Sequence, residues 1–187
     1  MPKLYVAYGS NLHKQSMRRR CPYSKPLGKF YLTDARLVFR GVADVEYSLG
    51  DKVPCALWSI NRSDEHALDQ YEGVSSGMYY KEEGIVLKFA GRPQNALIYL
   101  MRSDGIYPPS EHYANIIRKG YQDFKLDESY LDAAIERAFL YKTPDEQTVE
   151  RRERQLGTKK QARLVQMPEA VALRRLEIKE SYNHEHD

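Results

Sequence analysis

The sequence predicts an α+β protein, in which a small barrel-like mixed sheet with flanking helices is followed by a charged helical extension. Three observations carry this. β-branched and aromatic runs of strand length fill the chain to residue 101. Helical apolar spacing takes over from residue 110. The composition then turns polar and charged at Thr143-Pro144. Strands first and helices after is the ordering of an α+β fold, not of alternating βα units. We therefore expect a domain over 1–141 and an extension over 142–187, helical or partly disordered.

The elements follow in order. Residues 3–8 are apolar and β-prone and read as a strand, broken by Gly9-Ser10-Asn11. Residues 12–20 suit a short helix that Pro22 stops. Residues 29–39 and 53–60 read as further strands, the second holding Trp58. Ser63 is a good N-cap with two acids after it, and Ala67, Leu68 and Tyr71 give that helix a short apolar face. Gly73 lies where such a helix ends. Residues 78–89 and 94–101 form a hairpin around Gly91. Ser110 caps a helix running to about Tyr121, after the stiff Tyr107-Pro108-Pro109 link. Asp127 caps another, with Leu131, Ala134, Ile135, Ala138 and Phe139 on one face. Thr143-Pro144-Asp145-Glu146 is a helix start in the extension.

Composition narrows the function classes. A net charge of +3 gives no global case for nucleic acid or membrane binding. The basic cluster Arg151-Arg152-Glu153-Arg154 with Lys159-Lys160 is interleaved with acids and reads as a solvated face, or as a surface for self-association into a homodimer. The apolar run at the N-terminus is too short for a signal peptide or membrane span, which favours the cytoplasm. Cys21 and Cys55 are too few for a disulfide framework and have no histidine partner in sequence. His13, His66 and His112 lack ligand spacing, and His184 and His186 sit on the charged tail, so no metal and no cofactor is expected. Fifteen tyrosines are many for this length, and a tyrosine-lined pocket suits a small ligand with polar and apolar parts.

Three features bear on chemistry. In Tyr8-Gly9-Ser10-Asn11-Leu12 a strand ends in a small polar turn, where backbone N–H groups can converge on an anion. Taken alone this is only a turn. Glu72 falls at a helix end, where the dipole and any burial both disfavour its charge and raise its pKa. Such a carboxyl can exchange a proton near neutral pH. Taken alone it is a solvated glutamate. Tyr79, Tyr99 and Tyr113 lie on three different elements, and each alone is most simply core.

Together the pieces resemble a family. Tyr8-Gly9-Ser10-Asn11-Leu12, then Leu68-Asp69 with Glu72-Gly73-Val74-Ser75-Ser76-Gly77-Met78-Tyr79, then Tyr99-Leu100-Met101, then Pro108-Pro109-Ser110 with Tyr113 and Ile116-Ile117, look like the γ-glutamyl cyclotransferase family (the AIG2-like superfamily). The likeness spans about residues 4–121, and its Glu-Gly-Val to Gly-Met-Tyr block is the most specific part. It implies the family's barrel-like fold and release of 5-oxoproline from γ-glutamyl compounds. It implies Glu72 as catalytic acid/base. The turn from Tyr8 to Leu12 would cradle the γ-glutamyl group with its backbone, and Tyr79, Tyr99 and Tyr113 would line the cavity. Asn11, where glutathione-specific relatives carry Leu, points away from that branch. Two rivals share the motifs: a cyclotransferase for γ-glutamylamines or a γ-glutamyl-protected metabolite, and a non-catalytic binding protein on the same scaffold.

Overall fold

The computed structural model describes residues 2–141. Five strands form one sheet: β1 (Lys3–Ala7), β2 (Lys25–Phe39), β3 (Ala43–Ile60), β4 (Tyr79–Phe89) and β5 (Arg92–Met101), in the order β2-β3-β1-β5-β4. Four helices accompany it: α1 (Lys14–Arg20), α2 (Arg62–Tyr71), α3 (Glu111–Phe124) and α4 (Ser129–Leu140). β1 is central. It pairs antiparallel with β3 and parallel with β5, and Leu4 through Ala7 are all buried. A strand covered on both faces loses the polar alternation of a half-exposed one, which is why this segment reads as a continuous apolar run.

The sheet does not close into a barrel. β2 and β4 are its two edges. The start of β2 places exposed Lys25, Pro26 and Lys29 along its edge, and charge and proline at an edge discourage further pairing. β3 begins ten residues before the predicted start at 53. The stretch around Gly50-Asp51 is accommodated as a bulge within β3, whose residues 48–51 stand opposite Asp34 alone. The register shifts between Thr33 and Ala35, Asp34 has φ +53°, and its carboxylate accepts the Gly50 N–H at 3.0 Å.

Helix ends differ from expectation in three places. The predicted helix over 12–20 is split: Ser10–Leu12 is a 3-10 turn, His13 is extended, and α1 follows. The cap of α2 is Asn61, not Ser63. Asn61 accepts the Asp64 N–H at 2.8 Å while Asp64 accepts the Asn61 N–H at 3.2 Å, a reciprocal capping box that Ser63 could not complete. Tyr71 belongs to no apolar face and is 47% exposed. Ser110 caps α3 as expected, accepting the Tyr113 N–H. The N-cap of α4 is Glu128, without a side-chain bond, not Asp127, which accepts the Ser129 N–H from one residue earlier. On α4 the buried stripe is Leu131, Ala134 and Ala138, with Ile135 partly buried, whereas Phe139 is exposed. Phe139 stands about 100° around the helix from Ala138, outside that narrow stripe. Among the described residues no helix is long and apolar enough to cross a membrane. The expected extension over 142–187, with its helix start at Thr143-Pro144, its basic cluster and His184 and His186, lies outside the described residues.

Candidate active site

A cleft of about 200 Å³ opens where the C-terminal end of β1, the 3-10 turn, the end of α2, and strands β4 and β5 meet. Tyr8, Gly9, Ser10, Asn11, Glu72, Tyr79, Tyr99 and Tyr113 all line it. Of the predicted site residues only Leu12 is absent. Its side chain is fully buried in the core. The turn must expose its polar residues to the cleft, and the apolar Leu12 anchors it from behind.

Glu72 is brought to the cleft by the way α2 ends. Gly73 donates to the Gln70 carbonyl at 3.2 Å and Val74 to the Asp69 carbonyl at 3.0 Å. These two bonds are the Schellman motif, and they require a left-handed residue at Gly73, whose φ is +63°. The motif reverses the chain right after Glu72 and leaves that side chain facing the cleft. Burial pushes the Glu72 carboxyl up to about 7, against the opposing pull of the Arg20 charge and the Asn11 amide.

The Asn11 side chain is hydrogen-bonded at both ends of its amide. Its Nδ2 donates to Glu72 Oε1 at 2.8 Å and to the Tyr5 hydroxyl at 2.9 Å. Its Oδ1 accepts from Arg20. The turn itself closes with Leu12 N–H on the Gly9 carbonyl and His13 N–H on the Ser10 carbonyl. The N–H groups of Ser10 and Asn11, at its start, have no acceptor within the turn. Gly9 is there for space: a Cβ would lie 3.2 Å from the Ala43 Cβ and 3.4 Å from the Tyr113 hydroxyl.

The tyrosines are structural members as well as lining. Tyr79 donates to the Ala43 carbonyl at 2.8 Å, and Tyr113 accepts the Ala43 N–H at 3.2 Å. Between them they fix the β2–β3 turn as one wall. Tyr8 donates to the Tyr99 carbonyl at 2.6 Å. Tyr99 donates to Asp69 at 2.6 Å, and Lys81 pairs with the other Asp69 oxygen at 3.0 Å. Burial raises the pKa of Tyr5, Tyr8, Tyr79, Tyr99 and Tyr113, the last to about 12, so all five are neutral hydroxyls at physiological pH. Burial also pushes the Cys21 and Cys55 thiols up to about 12, too high for a thiolate nucleophile near neutrality.

Sequence reasoning missed Tyr5, Arg20, Tyr71, Met78 and the Val42-Ala43 turn. Tyr5 carried no signal beyond its strand. Arg20 is one of three arginines in a row, and only the fold selects it. Tyr71 was signalled by its place beside Glu72.

Comparison with known proteins gives this site its context. The AIG2-like family matches residues 52–133. A human γ-glutamylcyclotransferase is 34% identical over 139 residues, which are 68% of this chain and 74% of the human protein. The chain belongs to the γ-glutamylcyclotransferase family. A bovine γ-glutamylcyclotransferase is 32% identical over the same length. A solved γ-glutamyl cyclotransferase structure superposes with a TM-score of 0.64 at 30% identity, covering 72% of this chain and 86% of that one.

Proposed function

We propose that this protein is a γ-glutamyl cyclotransferase in which Glu72 is the acid/base. The observation that carries the reading is a cleft-facing carboxyl with one oxygen held by Asn11 and a pKa pushed to about 7, in a chain that belongs to this family.

A γ-glutamyl compound carries its own nucleophile. Its α-amine reaches the γ-carbonyl and closes a five-membered ring, so fixing the folded conformer supplies much of the catalysis. Glu72 Oε1 is engaged by Asn11, and Oε2 takes a proton from the α-ammonium. The freed amine attacks the γ-carbonyl carbon, and the carbonyl oxygen becomes an oxyanion. The N–H groups of Ser10 and Asn11 and the neutral tyrosine hydroxyls are the donors available to the oxyanion and the α-carboxylate. The oxyanion collapses and the C–N bond to the leaving amine breaks as protonated Glu72 gives its proton to that nitrogen; the freed carboxylate then takes the second proton from the ring nitrogen and passes it to the amine, which departs as an ammonium. The products are 5-oxoproline and a free amine or amino acid. The substrate is a small molecule, and no step calls on a cofactor. Two buried free thiols, Cys21 and Cys55, suit a reducing compartment, and we place the protein in the cytoplasm.

The test is chromatographic detection of 5-oxoproline after incubation with γ-glutamyl-alanine, γ-glutamyl-lysine, a γ-glutamylamine and glutathione. Release from at least one, with the γ-glutamyl dipeptide ahead of glutathione, is expected. Folded protein that releases none from the whole panel contradicts the reading and favours the binding-protein rival.

A further inference from the structure

Arg20, the last residue of α1, does not line the cleft, yet it reaches three side chains that do. Its Nη1 donates to Asn11 Oδ1 and, at 3.4 Å, to Ser10 Oγ. Its Nη2 donates to the Tyr71 hydroxyl at 2.6 Å. The guanidinium lies over the Tyr71 ring with its central carbon 3.6 Å from the centroid. That stack and fork hold the arginine in one pose.

Arginine offers donors only, whereas a carboxamide has one accepting end and one donating end. Whichever end of Asn11 faces Arg20 must therefore be the oxygen. The amide nitrogen is then left for Tyr5 and Glu72, where it is found at 2.9 and 2.8 Å. The flipped amide would set its oxygen against the Glu72 carboxylate and its nitrogen against the guanidinium, two repulsive contacts. We propose that Arg20 is a positioning residue for Glu72: it fixes the Asn11 amide in the orientation that donates a hydrogen bond to the catalytic carboxylate. This rests on the cyclotransferase reading for its catalytic meaning, while the linkage from Arg20 through Asn11 to Glu72 stands on the hydrogen bonds.

The first readout needs no substrate. The Glu72 carboxyl is followed by 13C NMR from pH 4 to 10 in the wild type, Arg20→Met and Arg20→Lys. Loss of the charge and loss of the donor both favour the protonated form, so the midpoint in Arg20→Met moves upward from its wild-type value near 7. Arg20→Lys keeps the charge without the fork, and its midpoint stays between the other two. The second readout is a double-mutant cycle on 5-oxoproline release. Arg20→Met alone lowers kcat/KM about 10- to 100-fold, mainly through kcat, as expected for a lost bond to a charged group. In an Asn11→Ala background it lowers it little further. Thermal midpoints identify any variant that is merely unfolded, and Arg20→Lys serves where Arg20→Met does not fold. An unmoved Glu72 midpoint in a folded Arg20→Met, or additive losses in the cycle, overturns the proposal. A wild type that releases no 5-oxoproline overturns the cyclotransferase reading instead, and the titration still decides the linkage.

Discussion

The Glu72 carboxyl is half-buried, and its desolvation outweighs one amide donor and one nearby guanidinium, so it ionises near pH 7 when folded and near its ordinary 4.5 when unfolded. A folded-state pKa raised above the unfolded one contributes stability that is fully present below about 4.5 and lost as pH rises through about 7. Gln in its place is neutral at every pH. We expect Glu72→Gln to gain stability relative to wild type between pH 5 and pH 8, by up to about 3 kcal/mol. Denaturant melts at the two pH values check this, and an equal difference at both contradicts it. The same ionisation gives wild-type kcat/KM an acid limb centred near pH 7, because only the carboxylate accepts the substrate's proton. At this scale the sequence showed Glu72, through its helix end and the motif around it. It did not show that the Asn11 side chain bonds Glu72. An amide's orientation is decided by the groups facing it, here Tyr5 from β1, Arg20 from α1 and Glu72 from the end of α2.

Elements set the turn's position. α3 packs on the 3-10 turn, and Gly120 is what allows the approach. A Cβ there would lie 2.4 Å from the Leu12 Cβ and 2.7 Å from the Leu12 carbonyl carbon and the His13 nitrogen. Backbone is among the clashing atoms, so no side-chain rotation relieves it. Gly120→Ala should destabilise the fold by about 1–3 kcal/mol and push the turn toward the cleft, lowering kcat in whatever fraction stays folded. Thermal melts with matched kinetics test this, and wild-type values for both refute it. The elements were legible where a local rule decides them. Ser110 caps α3, Gly73 ends α2, and β1 is an unbroken apolar run. They were not legible where a partner strand decides them. The stretch 43–52 pairs with β2 through a bulge that no single-strand pattern announces, and Gly120 reads as a poor helix residue until Leu12 is seen beneath it.

At the scale of the described fold, a buried ion pair ties the cleft's far wall to the sheet. Arg40 and Asp44 flank the β2–β3 turn with side chains 7% and 3% exposed, 2.8 Å apart. Asp44 also accepts the Met101 N–H at 3.0 Å, and Arg40 donates to the Gly105 carbonyl at 3.1 Å. Removing Asp44 leaves the buried Arg40 with Glu46 alone, at 3.2 Å, and takes the acceptor from the Met101 N–H. Asp44→Ala should therefore cost about 3–5 kcal/mol, measured by denaturant unfolding, while a loss under about 1 kcal/mol would contradict this role. The α+β class was readable from the order of strands and helices, but barrel closure was not, because it depends on what the edges of β2 and β4 meet in space. The central claim is that Glu72 moves the protons of an intramolecular cyclisation. Its most direct test is 5-oxoproline release from a γ-glutamyl dipeptide at pH 8, wild type beside Glu72→Gln. We predict that the variant folds and loses about 100- to 10,000-fold in kcat. A folded Glu72→Gln that releases 5-oxoproline at the wild-type rate would contradict the account.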